Sequence, residues 1–144
     1  MENTSPRHPA NKLFRYPHMF PLDIKIWDRF LDLFATNFLG FDYDIKVGSG
    51  SPIEPETPDN YARMQTVLSK YRIDAVGYTD GPIYIIEVKP DAGTIAIGQI
   101  ETYRRLYERD FNPSRPVVGM IVTDREIPDM KYLTSMMGIM YYIV

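Results

Sequence analysis

Apolar residues recur at two periods along this chain. From Leu22 to Phe38, the residues Trp27, Phe30, Leu31, Phe34 and Phe38 fall at helical spacing, with Asp28, Arg29 and Asp32 off the stripe. That spacing predicts a first helix, ended by Gly40. Phe41, Tyr43, Ile45 and Val47 then alternate with Asp42, Asp44 and Lys46, the period of a half-buried strand. Gly48, Ser49, Gly50 and Pro52 stop it, and residues 48–60 read as a proline-containing loop. The stretch from Tyr61 to Arg72 is basic and free of acids, and its pattern assigns no element.

Tyr71 to Tyr78 and Pro82 to Lys89 are β-rich runs on either side of Thr79, Asp80 and Gly81. Asp-Gly between such runs is a strong hairpin signal. Thr94 to Phe111 carries Ala96, Ile100, Tyr103 and Tyr107 on one helical stripe, and Asn112-Pro113 ends it. Pro116 to Thr123 reads as a buried strand, Asp129 to Met137 as a short helix and Ile139 to Val144 as a last strand. Strand, helix and strand from Pro82 to Thr123 make a crossover unit with its two strands parallel. The expected fold is therefore α/β with a mixed sheet. Its single domain, residues 22–144, follows an extended arm over residues 1–21, where Pro6, Pro9, Pro17 and Pro21 lie among Arg7, Lys12 and Arg15.

Composition narrows the function classes. A chain of 144 residues supports one core and not two. With no cysteine there is no disulfide framework and no thiolate zinc site, and the only histidines, His8 and His18, sit in the arm, which argues against a zinc enzyme and sets them outside the chemistry. Met136 to Val144 falls well short of the roughly 20 residues of a membrane span. Met1 to Ala10 lacks the apolar run of a secretory signal. A cytoplasmic protein with no membrane partner is expected. The net charge of −3 argues against a broad non-specific nucleic-acid surface, yet a hard-metal site is itself acidic. The cluster Met136, Met137 and Met140, with Tyr141 and Tyr142, reads as core filling.

The chemistry is concentrated between residues 74 and 103. If Asp80 and Gly81 are the turn residues, counting outward pairs Val76 with Ile85 and Asp74 with Glu87. Directly opposed side chains have Cβ atoms about 4.5–5.5 Å apart, and like charges there destabilise a sheet unless something binds between them. A divalent cation meets that need. Alternation puts Lys89 on the face of Glu87 while Tyr84, Ile86 and Val88 point the other way. An isolated Glu-Val-Lys is most often a solvated edge with the lysine paired to the glutamate. Here Ile83 and Ile85 share the face of Glu87, the opposing acid falls in register, and Gln99, Tyr103 and Leu106 follow at i, i+4 and i+7 on the next helix.

Asp74, then Glu87-Val88-Lys89, then Gln99-Ile100-Glu101-Thr102-Tyr103 resembles the PD-(D/E)xK nuclease superfamily, its Gln-x-x-x-Tyr helix being typical of RecB-type members. The likeness runs from Leu22 to Thr123, and Ile73 stands where the motif's name has proline. The resemblance implies a restriction-endonuclease-like αβββαβ core, here with an extra C-terminal helix and strand, and hydrolysis of DNA phosphodiester bonds. Asp74 and Glu87 would ligate Mg²⁺ or Mn²⁺, with the carbonyl of Val88 as a third oxygen. Lys89 would position the nucleophile and offset transition-state charge, and Gln99 would orient the lysine or the phosphate. Some members add an acid from the first helix, so Asp28 and Asp32 are candidates, with Asp23 behind them.

Arg63, Lys70 and Arg72 before the hairpin, and Tyr103, Arg104 and Arg105 on the helix, are the candidates for nucleic-acid contact. Two readings follow: a metal-dependent DNA nuclease, endonuclease or exonuclease, of phage, mobile-element or repair context, or a non-catalytic nucleic-acid-binding or assembly module, such as a phage structural protein, that keeps the fold. The arm would be held by a second subunit in a homodimer, by a larger assembly or by the domain itself.

Overall fold

The Asp80-Gly81 turn sets the frame of the molecule. A computed structural model describes residues 6–144, with elements β1 His8–Pro9, α1 Pro21–Phe34, β2 Gly40–Val47, α2 Asp59–Leu68, β3 Tyr71–Tyr78, β4 Ile83–Val88, α3 Thr94–Phe111, β5 Val117–Thr123, α4 Met130–Met136 and β6 Met140–Ile143. A single 3-10 turn, Ala35–Asn37, follows α1. The strands form one sheet in sequential order. The first four are antiparallel in turn, and β4, β5 and β6 run parallel. The fold is mixed α/β with a six-stranded mixed sheet. No helix among the described residues is long and apolar enough to cross a membrane.

The hairpin register follows the turn as expected, with Val76 opposite Ile85 and Tyr78 opposite Ile83. Each face of the sheet is covered. On one, Ile26, Trp27, Phe30 and Leu31 of α1 pack with Phe41, Tyr43, Ala75, Ile86 and Val88. Trp27 and Phe30 have no exposed surface, and burial of such side chains contributes roughly 1.5–3 kcal/mol each. The indole N–H of Trp27 donates to the Tyr43 hydroxyl at 3.1 Å, which satisfies the only polar atom of the buried indole. On the other face, Ala96, Ile100, Tyr103 and Tyr107 of α3 cover Val76, Ile83, Ile85 and Ile121. Gly119 allows this approach, because a Cβ there would strike the Ile100 side chain. Asn112 ends α3 in the left-handed conformation (φ 45°), its N–H donating to the Glu108 carbonyl.

Four departures from the sequence reading have identifiable causes. The first helix stops at Phe34 rather than Phe38, the 3-10 turn taking up the difference. The unassigned stretch, with the last two residues of the expected loop, forms α2 from Asp59 to Leu68, yet none of its residues is buried. A helix without a packed face leaves no periodic stripe to read.

The third departure is in β2, where Phe41 and Tyr43 pack under α1 while Ile45 and Val47 pack under α3. Strict alternation would put all four on one face. The switch falls at Asp44, whose φ of +56° is left-handed and which lies between the Tyr43–Ala75 and Ile45–Ile73 pairs. The fourth concerns the C-terminal methionines: Met136, Met137 and Met140 are exposed rather than core filling, while Tyr141 and Tyr142 are half-buried against the two clusters.

The arm is extended but held. From Pro6 onward it pairs β1 with β2, the Arg7 N–H donates to Asp42, and Tyr16 and Met19 are buried in the α1-side cluster. The domain itself supplies its anchorage. Residues 1–5 of the arm lie outside the described part of the chain.

Candidate active site

Ladder pairing between β3 and β4 ends at Ala75 and Ile86. One step further, Asp74 and Glu87 meet with their backbones no longer paired. The main-chain N–H of Val88 donates instead to Asp74 Oδ2 at 2.9 Å, and the two carboxyl groups are within hydrogen-bonding reach of each other. Both residues are buried, Asp74 with 7% and Glu87 with 8% of its surface exposed. Removal from water raises the pKa of each, and the neighbouring Asp74 charge raises Glu87 further. The Lys89 charge acts in the opposite direction on Glu87. Lys89 is half-buried, and its main-chain N–H donates to the Val122 carbonyl at 3.0 Å, which fixes the residue at the end of the parallel ladder.

Two buried acceptors here lack donors: Glu87 Oε2 and Gln99 Oε1 make no hydrogen bond. A buried oxygen without a partner is costly, roughly 1–3 kcal/mol. Gln99 lies on α3, where its side chain hydrogen-bonds the Tyr103 hydroxyl. Burial, followed by the charges of Glu87 and Asp74, pushes the Tyr103 phenol up to about 12. The chain thus gathers Asp74, Glu87, Lys89, Gln99 and Tyr103 at one end of the hairpin. Among the described residues no three His, Cys, Asp or Glu side chains are grouped to hold a metal ion. The donor set is two carboxylates, of which Glu87 keeps an unsatisfied oxygen, suited to a hard cation whose other ligands are water or main-chain carbonyls.

Of the helix α1 acids, neither Asp28 nor Asp32 is committed to this site. Asp28 accepts from the Tyr16 hydroxyl at 3.4 Å, and Asp32 pairs with Lys12 at 2.7 Å. Asp23 is the acid whose charge reaches both Asp74 and Glu87, and its Oδ2 caps the helix by accepting from the Phe20 N–H. The sequence reading placed Asp23 behind Asp28 and Asp32; it is the acid of the helix's first turn. His18 was also set aside by the sequence reading. It stands within electrostatic reach of Arg72, Asp44 and Asp23, and burial, then Arg72, lowers its pKa.

The basic candidates are mostly engaged. Arg72 holds Asp44 through both Nε and a terminal nitrogen, at 2.6 and 2.7 Å, which lowers the Asp44 pKa. Arg104 pairs with Glu101 and Glu108, and Arg105 with Glu101. Tyr103 is 9% exposed and packs against Tyr71 with ring centroids 5.8 Å apart. Arg63 is exposed on α2, and Lys70 is half-buried ahead of β3. Compared with protein-family models, curated proteins and solved structures, the chain has no match.

Proposed function

We propose that this chain is a Mg²⁺- or Mn²⁺-dependent nuclease of the PD-(D/E)xK type, hydrolysing DNA phosphodiester bonds. The observation that carries the reading is the buried Asp74–Glu87 pair, with an unsatisfied carboxylate oxygen and Lys89 alongside. Two like-charged groups out of water destabilise the fold unless a positive charge is held between them. The elements α1, β2, β3, β4, α3 and β5, in that order with α2 inserted between β2 and β3, support a restriction-endonuclease-like core, to which β1, α2, α4 and β6 are additions.

Asp74 and Glu87, with the Val88 carbonyl, would hold the cation. When bound, it supplies a water of lowered pKa and neutralises charge on the scissile phosphate. The chain's own groups do the rest. Lys89 keeps a positive charge beside Glu87, orients the attacking oxygen and offsets the negative charge that grows on the phosphorane. Gln99, tied to Tyr103, presents an oxygen or an amide to the lysine or the phosphate. Arg63 and Lys70 provide phosphate contacts that position the strand without reading its sequence.

Wild type and Lys89→Ala incubated with labelled single- and double-stranded DNA, in Mg²⁺, Mn²⁺ or EDTA, test the reading. Metal-dependent cleavage lost in Lys89→Ala is expected, and cleavage that survives the substitution refutes the site. A second reading, a non-catalytic nucleic-acid-binding or assembly module, is favoured by the engagement of Arg72, Arg104 and Arg105 in ion pairs. Absence of cleavage in every metal, with DNA still bound, would select it. Measurement of oligomeric state separates homodimer from monomer.

A further inference from the structure

A second concave site lies towards the turn end of the hairpin, between β2 and the C-terminal half of α3. Its volume is about 280 Å³. Neither Asp74 nor Glu87 lines it, and Tyr78 on its wall is four residues along β3 from Asp74, about 13 Å at strand rise; Asp44 is the wall residue whose charge reaches Asp74. Its floor accepts hydrogen bonds. Asp42 is 3% exposed, with Oδ1 receiving the Arg7 N–H at 2.7 Å and Oδ2 the Tyr78 hydroxyl at 2.8 Å. These two donors leave lone pairs over, since a carboxylate has about four acceptor sites. One wall is aromatic: Tyr107 and Phe111, one turn apart on α3, have ring centroids 4.7 Å apart. Lys46 and Arg115, together with Arg7, bring positive charge to the same cavity, which Asp44 also lines; Lys46 lies 3.8 Å from Asp44 and Arg115 donates to the Thr79 carbonyl, which fixes both cations at the wall.

An occupant that satisfies all three features carries a flat ring, adjacent N–H donors and an anion. Guanine alone among the common bases offers a ring N–H and an exocyclic amine side by side, the edge that a fixed carboxylate can accept. We propose that this cavity binds a guanine nucleotide. The base lies against Tyr107 and Phe111, its N–H edge meets Asp42, and its phosphate meets Lys46 and Arg115. The volume, near the lower end of small-molecule pockets, suits one nucleotide. The nucleotide is either free or part of a strand, and the proposal does not depend on the nuclease reading.

Calorimetric titration of the full chain in EDTA with GMP, AMP, CMP and guanosine tests it. Saturable GMP binding is expected, with AMP and CMP at least tenfold weaker. The Lys46→Ala/Arg115→Ala double variant should weaken GMP at least tenfold and leave guanosine unchanged, whereas Phe111→Ala should weaken both. Glu87→Gln, at the other site, should bind GMP as wild type does. In the unmodified protein, GMP should shift the NMR signals of Phe111 and Tyr107, a readout independent of any variant's folding. No saturable GMP binding at millimolar concentration overturns the proposal, as does CMP binding of equal strength or a double variant that binds GMP normally. A five-residue DNA strand with one central guanine that binds tighter than GMP assigns the site to a nucleic-acid strand, and the reverse order assigns it to the free nucleotide.

Discussion

Replacing Glu87 by glutamine should stabilise the metal-free protein at alkaline pH and leave it unchanged in acid. Both acids of the pair have pKa values raised in the folded state. A raised carboxyl pKa means that the folded chain holds protons the unfolded chain has released. Its contribution is complete below the unfolded value of about 4 and is lost as pH rises through the folded values. A buried charge left without a partner costs about 3–5 kcal/mol. Lys89 offsets part of this at Glu87, so a net effect of ~2–3 kcal/mol at pH 8 is expected, on the scale of buried-charge penalties. The glutamine keeps the shape, removes one charge and can donate its amide to Asp74. Urea unfolding in EDTA, followed through the buried single Trp27, measures the difference at pH 4.5 and pH 8. Addition of Mn²⁺ at a hundred times its Kd should return about 2.7 kcal/mol to wild type at pH 8 and much less to the variant. Equal stability differences at the two pH values would refute the claim that the pair is a buried, charge-strained site.

Three further outcomes are expected. Gly119→Ala places a methyl against Ile100 of α3 and should cost about 1–3 kcal/mol in urea unfolding, lowering cleavage too, since Gln99 and Tyr103 ride on the same helix. Tyr103→Phe removes the hydroxyl that Gln99 bonds; stability should change by no more than ~1 kcal/mol while cleavage falls about tenfold, within the range of misplaced catalytic groups. Limited trypsin digestion should cut first at Arg63, because α2 buries none of its residues and segments with few buried contacts open most readily. Mass spectrometry of the early fragments reads the site of cutting.

Much of this architecture was legible in the chain because its signals are local. The Asp80-Gly81 turn, counted outward, places Asp74 against Glu87 by arithmetic alone, and the structure keeps that register through Ala75 and Ile86. The stripe of Ala96, Ile100, Tyr103 and Tyr107 marked α3, and each of the four is buried. Period and turn chemistry act over a few residues, so one sequence suffices to read them.

Tertiary structure decided what depends on distant partners. Which helix acid faces the carboxylate pair rests on how α1 lies across the sheet, and that brings Asp23 rather than Asp28 or Asp32 within reach of its charge. The left-handed turn of backbone at Asp44 moved Ile45 and Val47 to the opposite face, a reversal that no alternation pattern encodes. The fate of the arginines also depended on packing, since Arg72 found Asp44 twenty-eight residues away in sequence. The opposed pair of acids was set by local pairing, whereas its burial, its raised pKa values and the donor-less oxygen of Glu87 come from the elements folded over it. Burial and electrostatics are sums over neighbours in space, and those neighbours exist only once the chain has folded.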